Sequence, residues 1–230
     1  MLMLSLDSSA KSAAVGVTNG EKVLASGFEN SGFTHSQTLL KLVDSTLKKA
    51  DKDIDEIEAF ALTVGPGSFT GLRIGCALVM GLAGNRMCYP VSTLKALAYN
   101  LQNKEGNVVC ALNARCNQVY MAAFSIHDRV LIRIIDDCAI SIDQAVIKAK
   151  EILSDNKPLH VIGDGAFLLD ELKDLGAIFF NDNTNFIQAY SVAMAARDES
   201  PVPAKDIKLC YLRLSQAERE RLNKMEEMKK

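Results

Sequence analysis

The residues best suited to chemistry fall in one short run, Gly65-Pro66-Gly67-Ser68-Phe69-Thr70-Gly71-Leu72-Arg73-Ile74-Gly75. Two glycines around Pro66 permit a sharp turn that bulkier residues would block. Ser68 or Thr70 suits the cap of a following helix, and the free N–H groups at such a helix start attract anions, phosphate above all. The run is not a Walker loop, because Leu72 and Arg73 stand where Lys and Ser or Thr are required. Nor does Ser68 sit in the G-x-S-x-G frame of a nucleophile elbow. Two other turns follow strand-like runs, Asp7-Ser8-Ser9 and Gly163-Asp164-Gly165. In an ATP-dependent small-molecule kinase, a carboxylate placed like Asp7 holds the nucleotide's metal, and a turn like Gly163–Gly165 approaches a phosphate. The plainer reading of both is turn geometry, since no general base or second phosphate loop can be assigned.

The three histidines, His35, His127 and His160, have no second His or Cys at ligand spacing, which argues against a structural zinc site. In a hydrolase, His35 would serve as base to Ser36, Ser68 or Asp7, but nothing in the spacing supplies the group that must orient it. The simpler expectation is an exposed residue at a helix start, with His127 beside Asp128 in a surface turn and His160 in packing. The six cysteines are scattered and form no C-x-x-C. They read as small buried hydrophobes of a reducing compartment.

The elements that position these residues follow from periodicity. Residues 1–6, 13–18 and 22–28 read as strands, the last two joined by Asn19-Gly20, a strong hairpin signal. Over 34–50 apolar residues recur at helical spacing, at Leu39, Leu40, Val43, Leu47 and Ala50. A strand over 59–64 leads into the glycine-rich run and a helix over 72–84. That helix alternates small and large apolar residues nearly all round, so it must be buried on both sides. Its interior glycines cost about 1 kcal/mol each relative to alanine, so something should approach its backbone closely. Both the chain's own sheet and a second protein chain satisfy that requirement. A strand at 89–91 and a helix at 92–101, capped by Ser92 or Thr93, complete an RNase H-like order. The pattern partly repeats, with strands at 108–112, 119–125, 130–134 and 159–162 and helices at 142–153, after 165, and at 186–197. The expected fold is α/β, two RNase H-like lobes in the actin-like architecture, the second lobe reduced. The lobes are expected at 1–105 and 106–213, with a charged tail, solvated and helical, at 214–230.

With 230 residues, 48% hydrophobic and 23% charged, the chain has the balance of a globular protein with a sizeable core. A net charge of -2 argues against unaided binding to a long phosphate backbone, and aromatic residues are too few for base-stacking platforms. The N-terminus lacks a basic region before its apolar stretch, and the longest apolar run, 72–83, is too short to span a bilayer. A cytoplasmic protein is expected, with no membrane contact.

Several motifs in order resemble the TsaB (YeaZ) family. They are Leu4-Ser5-Leu6-Asp7-Ser8-Ser9, His35-Ser36-Gln37, the run 65–75, Pro90-Val91-Ser92-Thr93-Leu94, Ala114-Arg115 with Val119-Tyr120, and Tyr211-Leu212-Arg213. The likeness covers most of the chain and is strongest before residue 125. It implies a non-catalytic scaffold that pairs with the related catalytic subunit TsaD and, with the ATPase TsaE, serves transfer of threonylcarbamoyl to the tRNA adenosine beside the anticodon. No cofactor of its own is implied, ATP being used by the complex. The chain is expected to meet tRNA only through the complex and, in isolation, to form a homodimer by pairing the helix at 72–84 with its own copy. The TsaD contact is expected on the first-lobe helices, at His35, Leu39, Leu40, Val43, Leu47, Phe69, Leu72, Arg73, Gly75, Cys76 and Val79. Asp7, Ser8, Ser9, Gly163 and Gly165 would then form a vestigial nucleotide loop.

Catalytic relatives carry a metal-binding His-x-x-x-His after a Pro-Val strand end. Here Thr93 and Leu97 occupy those positions, and neither ligates a metal. Asn113-Ala114-Arg115 also departs from the usual Asp-Ala-Arg. Asn keeps the hydrogen-bonding reach and loses the charge.

Overall fold

The computed structural model describes residues 1–30, 34–153, 157–180 and 182–213. The charged tail expected at 214–230 lies outside them. The first lobe runs β1 (Leu2–Asp7), β2 (Ala13–Asn19), β3 (Lys22–Glu29), α1 (His35–Lys49), β4 (Ala59–Gly65), α2 (Phe69–Ala83), β5 (Met87–Ser92) and α3 (Thr93–Ala98). The second runs β6 (Gly106–Arg115), β7 (Gln118–His127), β8 (Val130–Ser141), α4 (Ile142–Leu153), β9 (Leu159–Ile162) and β10 (Ile178–Phe179). α5 (Ala189–Ala195) and β11 (Val202–Pro203) follow.

The two sheets repeat one plan. In the first, β3-β2-β1 are antiparallel and β1-β4-β5 parallel. In the second, β8-β7-β6 are antiparallel and β6-β9-β10 parallel. The Asn19-Gly20 hairpin forms as expected, with Gly20 in the left-handed region at φ 61°. β1 and β4 are buried on both faces, the usual state of strands with helices on either side.

Between α1, α2 and the first sheet lies a core that includes Leu4, Leu6, Leu39, Val43, Phe60 and Val79. A second core lies under α4, around Val109, Met121 and Ala149. The third joins the lobes. It brings Met3 and Ala61 of the first sheet, Leu94 and Leu97 of α3, and Val192 of α5 together with Val108, Leu112 and Phe124 of the second sheet.

Several expectations need correction. β8 continues to Ser141 rather than stopping at 134, and within it the Asp137 carboxylate is bound by Ser92 and Arg133. The helix after 165 is a 3-10 helix, Ala166–Leu172. The last helix starts at Ala189 and tightens to a 3-10 turn at Ala196–Asp198. α5 and β11, expected within the second lobe, belong to the first. α5 packs on β1 and β2, where the Ser5 hydroxyl donates to the Ala189 carbonyl at 2.7 Å, and β11 pairs antiparallel with β5. Of the cysteines, Cys76, Cys88 and Cys110 are buried, but Cys116 and Cys210 are exposed. Among the described residues no helix is long and apolar enough to cross a membrane.

Candidate functional site: the cleft and the α1–α2 face

The β1–β2 turn and the start of α2 form one wall of a cleft of about 1070 Å³, and the β6–β7 turn region with Asp164 forms the other. The α2 wall is built by glycines. Ser68 caps α2 through its hydroxyl, which accepts the Gly71 N–H at 3.2 Å, and its own N–H donates to the Ser9 carbonyl at 2.7 Å. Gly67 abuts Ser9, and Gly71 and Gly75 abut Ser8, so closely that a side chain at any of the three would overlap those atoms. The Ser8 hydroxyl donates to the Gly71 carbonyl at 2.9 Å. Every fourth residue is thus a glycine because the end of β1 lies directly under the helix. The close approach that α2 demanded is to its own lobe.

Asp7 does not reach the cleft. It is fully buried, and its Oδ1 accepts the Ser9 N–H at 3.2 Å, the Ser9 hydroxyl at 2.6 Å and the Thr63 hydroxyl at 2.6 Å. Its Oδ2 has no partner, and burial pushes the carboxyl above its ordinary range. Gly163 and Gly165 are likewise committed inside the protein. The Gly163 N–H donates to Asn185 Oδ1 at 3.1 Å and the Gly165 N–H to the Ala111 carbonyl at 3.0 Å. Of the five residues expected in a vestigial nucleotide loop, Ser9 alone lines the cleft. Four charged residues line it, Lys11, Arg115, Asp164 and Arg213; the last three fall in motifs noted in the sequence, and Lys11 does not. They come from four separate segments, and only the folded chain brings them to one cleft.

Asn113 has a structural task. Its N–H donates to Asp164 at 2.9 Å, and its Oδ1 accepts the Arg115 N–H at 2.8 Å. That bond holds a turn in which Arg115, Cys116 and Asn117 all have positive φ. A neutral amide oxygen meets this need as a carboxylate would.

His35 is half-buried rather than exposed. The carbonyl of Ala10 accepts from its Nε2–H at 2.7 Å, so this nitrogen is a donor and positions the ring between the β1–β2 turn and α1. Ser36 bonds instead to Thr34, at 3.1 Å. Thr93 and Leu97 are fully buried, Leu97 within the core between the lobes. Among the described residues one group, Glu105, His127 and Asp128, has metal-ligand types within reach of one another. There His127 pairs with Glu105 at 3.0 Å and lies 3.5 Å from Asp128. His160 is buried, with Nε2 3.2 Å from the Glu105 carbonyl, and burial holds it below its ordinary value.

The residues expected to meet a partner divide sharply. Leu39, Val43, Leu47, Leu72, Gly75, Cys76 and Val79 are buried, so they stabilise the lobe and offer nothing to a second chain. The reason is general: apolar residues at three-and-four spacing are the ones the helix turns toward its own sheet. Leu40 and Arg73 are exposed, and Phe69 is half-buried. α2 is therefore not buried all round. Its outer face shows Arg73, Ala77, Met80 and Gly81, apolar apart from the arginine and small at Ala77 and Gly81, and α1 packs alongside.

Two lobes of this strand order, joined across a cleft, define an actin-like α/β protein. The whole-chain likeness agrees: a YeaZ structure from Pseudomonas aeruginosa superposes with a TM-score of 0.77, covering 92% of this chain and 99% of that one at 23% identity. The family model of TsaD, tRNA N6-adenosine threonylcarbamoyltransferase, matches residues 29–218, and the chain belongs to that family. Among curated relatives, it is similar to the tRNA threonylcarbamoyladenosine biosynthesis protein TsaB of Haemophilus influenzae, 34% identical over 128 residues. It is also similar to TsaB of Escherichia coli, 34% identical over 128 residues. The matched segment spans about half of each, 53% of this chain and 53% of the first relative, 54% and 55% for the second. The resemblance to the TsaB (YeaZ) family read from the motifs therefore holds.

Proposed function

We propose that this chain is a non-catalytic subunit in the biosynthesis of threonylcarbamoyladenosine in tRNA. It docks the catalytic subunit TsaD, and with it the ATPase TsaE, for transfer of threonylcarbamoyl to the adenosine beside the anticodon. It holds no nucleotide itself, meets tRNA through the assembled complex, works in the cytoplasm and pairs with its own copy when alone. The observation that carries this reading is the outer face of α2. A row of Ala77, Met80 and Gly81 on an exposed helix suits close approach by another helix rather than contact with water. Two further features support it. Thr93 and Leu97, where catalytic relatives carry histidines, are fully buried, and the Gly163–Gly165 amides are already used within the protein.

The test mixes the purified chain with TsaD and TsaE of its organism, ATP, threonylcarbamoyl-adenylate and tRNA, omitting each protein in turn. Modified adenosine is expected only when this chain is present, and none from the chain alone. ATP turnover by the chain alone, or full activity without it, would overturn the reading. Ala77→Arg, a change on the exposed face, is expected to abolish co-purification with TsaD while leaving the thermal midpoint unchanged.

A further inference from the structure

Residues Cys210–Arg213 run from one lobe to the other beside the cleft, and each of the four is anchored. The Cys210 N–H donates to the Val64 carbonyl at 2.7 Å, at the end of β4. The Cys210 carbonyl lies in the space a side chain of Gly65 would fill, and Gly65, at φ 123°, takes a conformation that favours glycine. Tyr211 stacks on Phe69 at the start of α2, with ring centroids 4.2 Å apart and planes 2° from parallel. Arg73 Nε donates to the Tyr211 hydroxyl at 3.1 Å, and its guanidinium lies 5.7 Å from the centre of each ring. Leu212 packs on the core between the lobes. The Arg213 guanidinium donates to the carbonyls of Ala114 and Arg115 in the β6–β7 turn, the latter at 3.3 Å.

We propose that Cys210–Arg213 is a strap that locks the two walls of the cleft at one angle. Domains flanking a ligand cleft commonly close by a hinge, which needs a joint that bends at low cost. Here the strap grips a strand end, a helix start and a tight turn, and each of these moves only with its lobe. Opening or closing the cleft would break the Tyr211 stack or the Arg213 bonds, and would shear the apolar core that the lobes share. The result is a rigid body whose α2 face keeps a fixed attitude to the second lobe. The proposal stands on these contacts and does not depend on which partner α2 meets.

The test is amide hydrogen exchange on the full chain, comparing wild type with Tyr211→Ala/Arg213→Ala. The expected result is exchange at least about tenfold faster in both walls, 65–70 and 114–118, while α4 keeps its protection. Acceleration confined to 210–213, with both walls unchanged, would overturn the lock. Should the double variant lose protection throughout, Arg213→Ala alone decides, since it frees one end of the strap. Faster exchange at 65–70 as well as 114–118 supports the lock, and faster exchange at 114–118 alone refutes it.

Discussion

The Ser92 hydroxyl donates to the Asp137 carboxylate at 2.6 Å, tying the start of α3 in one lobe to β8 in the other. The same hydroxyl accepts the Lys95 N–H at 3.2 Å, so one serine both caps a helix and bridges the lobes. The other carboxylate oxygen takes the Arg133 guanidinium at 2.5 Å, and that guanidinium lies 4.7 Å from the centre of the Phe124 ring.

Asp137→Ala should therefore destabilise the fold by about 1–3 kcal/mol, because it leaves the Ser92 hydroxyl and Arg133 short of an acceptor. Asp137→Asn keeps one acceptor and should cost less. Urea denaturation of the two variants checks both the size and the order.

The α2 glycines should respond with opposite signs. Gly75→Ala puts a methyl group against the Ser8 hydroxyl and Leu6 and should cost about 1–3 kcal/mol. Gly81→Ala has open space around it and should stabilise the helix by up to about 1 kcal/mol. The contrast also shows which variants can probe a partner. A bulky residue at Gly75 would disturb the lobe itself, so a clean test must sit at Ala77 or Gly81.

Asp7→Asn should stabilise the protein at neutral pH. The buried carboxyl titrates above its ordinary value of 3.8, so the folded state holds its proton more tightly than the unfolded chain does. Wild-type stability is then highest below that value and falls as pH rises through the higher folded one. The gain from asparagine should accordingly shrink on acidification, as urea midpoints at neutral and acidic pH would reveal. A loss of stability at neutral pH would point instead to a need for the charge.

His127 should titrate above its ordinary value of 6.5, since its ring bonds the Glu105 carboxylate beside Asp128. The sign follows from linkage. The contribution is full below about 6.5 and disappears as pH rises through the raised folded value. Glu105 runs the other way: held below its ordinary 4.5, it contributes above that value and loses the effect as pH falls. Both partners are charged between the two limits. Ring-proton chemical shifts against pH, with Glu105→Gln as control, should show the His127 midpoint moving down in the variant.

Much of this protein was legible in its residues, and the rest depended on contacts between distant parts of the chain. Alternating and helical periods located β1 to β5, α1 and α2. Asn19-Gly20 marked the hairpin, and Thr93 and Leu97 removed a metal pair, because each of these signals is complete within a few residues. Which face of α2 turns inward was not legible. Glycine at 67, 71 and 75 announces that some backbone comes close, but only the placement of Ser8 and Ser9 beneath the helix says whose. The seven buried residues expected at an interface were misassigned for the same reason: apolar spacing marks the stripe that will be covered without naming what covers it. The extension of β8 past 134 was not legible either: Asp137 lies within the strand, its two oxygens taken up by Ser92, 45 residues away, and by Arg133 on the same strand. α5 and β11 return to the first lobe because the open side of β1 and the free edge of β5 need covering, a demand set more than 90 residues earlier in the chain.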